Sequence, residues 1–255
     1  MNGIFKKIYY SQDIRAIIVL VLILAVFGTL VWFIIPAGNI QKRDIPKNEI
    51  PVAQSLSPIY HGDRTKEQVI FTFDGGSVDV SGRQILPVLA KHHVKGTFFL
   101  TGKFMEQNAD LVKQMIAAGH EVYSHTYDHP YLTRIPDIEI TDELKKADMT
   151  FKDITGGTLR PYYRPPYGDI DKRVIETAYE YGYEAVLWSV DAEDWEAPNI
   201  SDEEVVNKII SNIRPGNIFL MHIGDDITGR VLDRVFSEIE AKGYKIVSLR
   251  EGLEN

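Results

Sequence analysis

Five short segments of this 255-residue chain carry side chains able to move protons or hold a metal ion. They are Asp74 in TFDGG, His125 and His129 in SHTYDH, Arg164 in RPPYG, Asp191 and Asp194 in DAEDW, and His222 in LMH. Each has an ordinary alternative when taken singly. An aspartate after a strand is commonly a turn residue or a helix cap, RPPYG can be no more than a rigid turn, and LMH can end a strand with a capping histidine. Two histidines four residues apart can face one ion from a helical turn, and neutral imidazole is a common zinc ligand. His120, Ser124, Thr126 and Asp128 lie close enough in sequence to support such ligands through hydrogen bonds. His61, His92 and His93 read as ordinary solvated residues.

The five segments gain weight from the elements that must carry them. Short apolar runs alternate with amphipathic stretches from Gln68 onward: VIFTF, GTFFL, EVYS, YYR, EAVLWSV (Glu184–Val190), NIFLM and KIVSL are strands. Helices are expected over 84–92, over 109–118 with a stop at Gly119, over 141–154 opened by Thr141, and from Asp171, Ser201 and Gly229. Strands alternating with helices at this spacing indicate a parallel sheet. The fold class is α/β, a distorted (β/α) barrel of about seven units. In such a barrel the strand C-termini share one face, where reactive groups collect. Five different strands here end in an acid, a base or a cation. No glycine-rich nucleotide loop opens any helix.

In order and spacing, TFDGG, SHTYDH, RPPYG, DAEDW and LMH resemble the five motifs of the polysaccharide deacetylases, carbohydrate esterase family 4 (the NodB-homology domain), and GTFFLTG is similar to that family as well. The resemblance covers about residues 68–253. It implies metal-assisted hydrolysis of N-acetyl groups on glycans, with a divalent metal, zinc in the first place, as cofactor. Position by position, it makes Asp74 the general base, His125 and His129 the metal ligands, and Arg164 the holder of the base. It makes the Tyr167 backbone N–H an oxyanion donor, Trp195 an apolar wall, Asp194 the partner of the catalytic histidine, and His222 the general acid. The chemistry is coherent: Asp74 beside Arg164 is expected to accept a proton, and His222 beside Asp194 to carry one.

One position departs from the pattern. The family's first motif usually reads TFDDG, its second aspartate being the third metal ligand; here that position is Gly75. Asp79, Asp128 or Asp74 itself are the candidates to compensate, and Gly75→Asp is expected to improve metal binding unless a positive φ opposes it. The competing reading is a catalytically silent glycan-binding or scaffold protein on the same fold. A glycosidase would need two carboxylates flanking one bond and would leave the histidine pair unexplained. Trp195, Tyr127, Tyr131 and Tyr167 are candidates to stack on sugar rings.

The remaining organisation concerns location. Residues 16–35 form an uncharged apolar run of twenty residues, long enough to span a bilayer, preceded by Lys6, Lys7 and Arg15. The expected layout is a cytoplasmic N-terminus over 1–15, a transmembrane anchor over 16–35, a linker over 36–67 and an extracytoplasmic domain over 68–255. With Asp13 the first 35 residues are net +2, so the total of −8 leaves −10 on the rest. An acidic body without a basic stripe excludes nucleic acid as the expected partner. The expected partners are an N-acetylated glycan, peptidoglycan first, and the membrane. The chain has no cysteine, which rules out disulfides and thiolate metal sites.

Overall fold

The computed structural model describes residues 56–76 and 78–254. The apolar run 16–35 and the segments flanking it lie outside them, and among the described residues no helix is long and apolar enough to cross a membrane.

Among the described residues eight parallel strands form the sheet: β1 Gln68–Gly75, β2 Thr97–Leu100, β3 Glu121–Ser124, β4 Tyr162–Tyr163, β5 Glu184–Ala185, β6 Val190–Asp191, β7 Ile218–His222 and β8 Lys245–Val247. Their order is β5-β4-β3-β2-β1-β7-β6. β8 pairs with Gln68, Val69 and Ile70 of β1, while β2 pairs with residues 72–75, so the two share one edge of β1 end to end. The helices are α1 Gly82–Lys91, α2 Gly102–Gln107, α3 Ala109–Ala117, α4 Asp137–Thr155, α5 Lys172–Glu180, α6 Asp202–Ser211, α7 Ile227–Ala241 and α8 Leu249–Leu253.

β1 is buried along its whole length, as expected for a central parallel strand covered on both faces. Its pleat sorts side chains into two layers. Val69, Phe71 and Phe73 face the helices, where Phe71 stacks on Phe219 at 4.8 Å and meets the edge of Phe236 at 5.0 Å. Ile70 faces the barrel interior with Phe99, Tyr123, Val186 and Ile218. Thr72 and Asp74 follow Ile70 at the same two-residue period, so Asp74 stands at the top of the inner row.

EAVLWSV is read from sequence as one strand, and the structure divides it. Glu184–Ala185 pairs with β4 at one end of the sheet, and Val190–Asp191 pairs with β7 at the other. The residues between them span the gap. The Val186 N–H donates to the Tyr163 carbonyl and the Ser189 N–H to the Ile218 carbonyl. The chain entering the domain fills the same seam: Ile59 exchanges backbone hydrogen bonds with Ala185 and Leu187, both 2.8 Å, and His61 bridges to Asn217. Residues 59–62, expected from composition to be tether, are therefore part of the barrel wall.

Local side-chain caps mark four of these eight helix starts. Asp171 accepts from the Val174 N–H, and Ser201 forms a reciprocal capping box with Glu204. α4 begins at Asp137, four residues before Thr141; the Thr141 hydroxyl donates to the Asp137 carbonyl inside the first turn. His92 is not a solvated residue. Its side chain is buried, with Nε2 2.8 Å from Asp233 and Nδ1 3.1 Å from Glu240, and it fastens the end of α1 to α7.

Candidate active site

The register of the central strands sets the site. Asp74 of β1 and His222 of β7 are direct partners across the ladder, so their Cα atoms stand one strand spacing apart, about 4.8 Å. His125 follows β3, Arg164 follows β4 and Asp194 opens the turn after β6. The structure brings all five to one end of the barrel.

Arg164 organises one half. Its guanidinium is fully buried, lies 4.1 Å from the Phe99 ring centroid, and donates in four directions. NH1 reaches Asp74 Oδ1 at 2.7 Å and Thr72 Oγ1 at 2.9 Å; Nε and NH2 reach the carbonyls of Val186 and Leu187 at 3.2 and 3.1 Å. Burial pulls the Arg164 pKa downward against the opposing charge of Asp74. The Arg164 carbonyl accepts from His125 Nδ1 at 2.9 Å. A carbonyl can only accept, so His125 carries its hydrogen on Nδ1 and presents the Nε2 lone pair. That Nε2 lies 3.0 Å from His129 Nε2 and 3.6 Å from the second oxygen of Asp74. Burial lowers the pKa of His125, and burial followed by the His125 charge lowers His129 to about 4, so both rings are neutral at pH 7.

His222 and Asp194 form the other half. Asp194 is fully buried; Oδ1 accepts from His222 Nδ1 at 2.9 Å, and Oδ2 accepts from the His222 backbone N–H at 2.6 Å and from the Thr228 hydroxyl. Burial alone would lower the His222 pKa, but the hydrogen bond and charge of Asp194, aided by Asp74 and Asp191, outweigh it and the net shift is upward. Nearby Asp225 is pushed up to about 6 by burial and then by the Asp194 charge.

Tyr167 sits in a three-residue turn, Pro166–Gly168, with φ of 61°. Its N–H belongs to the first turn and has no partner inside it. Trp195 is 55% exposed, with Nε1 3.5 Å from Asp191. Tyr127 is not available to sugars: it is buried, donates its hydroxyl to Glu106 at 2.9 Å and lies under Lys146.

The donor set fits a metal ion in part. Two nitrogens at about 2.0–2.1 Å on a tetrahedral ion stand about 3.3 Å apart, close to the observed 3.0 Å. Among the described residues no three His, Asp or Glu side chains already converge as a metal-binding group. Asp79 accepts from the Gly82 N–H at 2.8 Å at the start of α1, and Asp128 pairs with Lys103 at 2.6 Å; among the described residues neither joins the two histidines in a three-ligand group. Of the residues expected to support the histidines, Thr126 accepts from the His129 backbone N–H, while His120 accepts from Gly96 N–H and Ser124 from Thr126 N–H. The ring of His125 is oriented instead by the Arg164 carbonyl.

Gly75 is extended, not left-handed, so φ does not oppose a side chain there. Space does. Position 75 lies on the helix-facing side of the pleat, and a Cβ would meet Leu100 Cδ2 at 2.7 Å and Ile223 Cδ1 at 2.9 Å.

Sequence reasoning missed Thr228 and Thr72. Thr228 has no local signal, since its partner lies on another element. Thr72 does have one, being two residues before Asp74 and so on the same face of β1.

The family described as polysaccharide deacetylase matches residues 61–186. The chain is 31% identical to the peptidoglycan-N-acetylmuramic acid deacetylase PdaA of Bacillus subtilis over 86% of its own length and 83% of PdaA. The chain belongs to the polysaccharide deacetylase family. It is also 33% identical to the peptidoglycan-N-acetylglucosamine deacetylase PgdA of Listeria monocytogenes, over 84% of this chain and 44% of that longer protein. The PdaA structure matches with a TM-score of 0.74 at 31% identity, covering 77% of this chain and 85% of PdaA. A family 4 pseudoenzyme from Bacillus anthracis matches with a TM-score of 0.72 at 30% identity, covering 78% of this chain and 70% of that one. A mutant of that pseudoenzyme has restored enzymatic activity. Like these relatives, the chain carries the deacetylase fold; the family match ends before Asp194 and His222, which the structure joins to the rest.

Two outcomes follow from the geometry. In wild-type protein His222 keeps its proton to higher pH than a free imidazole; Asp194→Asn removes the charge responsible, so the His222 NMR titration is expected to move to lower pH. An unchanged titration would exclude Asp194 as the cause. Gly75→Asp alone is expected to leave zinc affinity within a few-fold of wild type, because Leu100 and Ile223 must give way. A gain of tenfold or more by calorimetry would show that the crowding by Leu100 and Ile223 is not what limits the site.

Proposed function

We propose that this chain hydrolyses N-acetyl groups from a cell-wall glycan, releasing acetate and leaving a free amine on the sugar. The observation that carries this reading is the pairing of Asp74 with His222 across adjacent strands, each held by its own partner, Arg164 or Asp194, beside the two neutral histidines. Family membership and relatives named as peptidoglycan deacetylases support the substrate class.

In this reading each side chain has a distinct task. Arg164 holds Asp74 by Oδ1, leaving Oδ2 free to take a proton from the attacking water. The oxyanion that develops on the acetyl carbonyl is met by the Tyr167 N–H. His222, its proton retained by Asp194, gives that proton to the departing nitrogen as the C–N bond breaks. Asp74 and His222 thus work on opposite steps of one hydrolysis. Trp195 walls the acetyl side. His125 and His129 would hold a divalent ion, zinc first, which when bound lowers the pKa of water and polarises a carbonyl.

A second reading, a silent glycan-binding protein, rests on Gly75 and on the likeness to the Bacillus anthracis pseudoenzyme. Acetate release from N-acetylated glycan by the zinc-supplemented full-length chain separates the two. Asp74→Asn and His222→Ala are each expected to lower that release ~10²–10⁴-fold with the far-UV spectrum unchanged. Full activity in either variant would remove that residue from the mechanism, and no release by the wild type would favour the silent reading.

We further propose that residues 16–35 anchor the domain outside the cytoplasmic membrane. Protease added to intact cells is then expected to digest the domain. Protection from protease, or a mature N-terminus beyond Ile35, would overturn the anchored orientation.

A further inference from the structure

A column of stacked groups runs outward from the histidine pair. His129 lies edge-on to the Tyr167 ring at 4.5 Å, Tyr167 stacks on Tyr131 at 4.0 Å with the rings 11° apart, and the Arg134 guanidinium covers Tyr131 at 4.1 Å. Tyr167 and Tyr131 are exposed, as is Arg134. Both faces of Tyr131 are therefore occupied, one by Tyr167 and one by Arg134, so it does not serve as a platform for a sugar. The group it offers to solvent is the guanidinium.

The turn that carries Arg134, Leu132–Arg134, is held in place by its neighbours. Leu132 is fully buried beneath it. Arg173 donates to the carbonyls of Leu132, Thr133 and Ile135 at 3.1–3.2 Å, and Asp169 accepts from both the N–H and the hydroxyl of Thr133. Those charges are spent. Arg173 also pairs with Asp137 at 2.6 Å, Lys103 pairs with Asp128, and Arg164 pairs with Asp74. Arg134 has no carboxylate partner among the described residues. In a domain whose body is strongly acidic, an exposed and unpaired arginine on a braced turn beside the reactive groups is conspicuous. Its guanidinium carbon lies 4.1 Å from the Tyr131 ring centroid, a contact that restrains the side chain, and a guanidinium fork is the group suited to bidentate binding of a carboxylate.

We propose that Arg134 is a carboxylate-binding subsite that selects glycans carrying a carboxylate beside the N-acetyl sugar over neutral N-acetylglucosamine polymers. The inference rests on the deacetylase reading for its substrate class. Muramic-acid units carry such a group, either as the free carboxylate of the lactyl ether or, when that is amide-linked, on the attached peptide. The shared chemistry is a carboxylate within a disaccharide's length of the acetyl group. The three contacts of 4.1, 4.0 and 4.5 Å between guanidinium and His129 suit that span. Arg134 is a specificity residue in this account and takes no part in bond breaking.

The test compares the full-length wild type with Arg134→Gln and Arg134→Lys on three glycans. These are a neutral N-acetylglucosamine oligomer, a muramic-acid-containing glycan with its lactyl carboxylate free, and the same glycan with its peptide attached. Wild-type binding by calorimetry is expected to favour a carboxylate-bearing glycan over the neutral one. Arg134→Gln is expected to cut that preference about fivefold, the scale of an exposed ion pair. Arg134→Lys should recover only part of it, and added salt should weaken it. The carboxylate-bearing glycan that loses preference identifies the source. No wild-type preference, or an equal loss on all three glycans, overturns the proposal. Because binding is read without turnover, a protein that keeps the Arg134-dependent preference but releases no acetate refutes the hydrolase reading and leaves the subsite standing. Acetate release with no such preference does the reverse.

Discussion

The arrangement of this domain turns on one buried guanidinium. Arg164 has no contact with solvent, and its charge is met by Asp74 while its remaining donors are spent on Thr72 and two backbone carbonyls. Taking away one partner of such a pair leaves an uncompensated buried charge, which costs ~3–5 kcal/mol in proteins generally. The geometry of its partners is constrained accordingly. Val186 and Leu187 belong to the seam where the sheet fails to close, Asp74 to the central strand, and the Arg164 carbonyl to the ring of His125. One residue thereby fixes the seam, the carboxylate and the histidine tautomer together.

The second half of the site is built on a different principle. Asp194 is also fully buried, but its charge is satisfied by donors from the strand and helix that follow it: the backbone and ring of His222 and the hydroxyl of Thr228. Arg164 engages Asp74 with a permanent charge, whereas Asp194 engages a group that can lose its proton. This difference in partner suits Asp74 to receive a proton and His222 to release one, although the two are neighbours across the ladder. The seam matters here too. Because residues 186–189 cross from β5 to β6, the turn bearing Asp194 arrives beside β7 and not beside β4.

Gly75 shows how the pleat limits repair. The inner row of β1 runs Ile70, Thr72, Asp74, and the alternate row runs Val69, Phe71, Phe73, Gly75 toward the helices. A side chain introduced at 75 starts among Leu100 and Ile223, so the missing ligand and the apolar packing around its position form one feature. The site retains two nitrogen donors whose separation suits one ion. The same domain thus bears likeness both to named deacetylases and to a pseudoenzyme with a mutant of restored activity.

Much of this was legible in the residues. Strand-end positions follow from apolar runs, and five reactive segments on five such ends point to one face of a parallel barrel. Asp171 and Ser201 announce their helices, because capping is a local interaction between residues three apart. What the tertiary structure decided is every relation between segments distant in sequence. The pairing of Asp74 with His222 depends on β7 lying next to β1, and the division of EAVLWSV depends on which strands its two ends meet. Thr228 on Asp194, and His92 between Asp233 and Glu240, depend on packing of elements far apart in the chain. Sequence periodicity states which face of an element is apolar. Only the packed fold states which other face it meets, because that choice is made by burial and hydrogen-bond satisfaction summed over the whole domain.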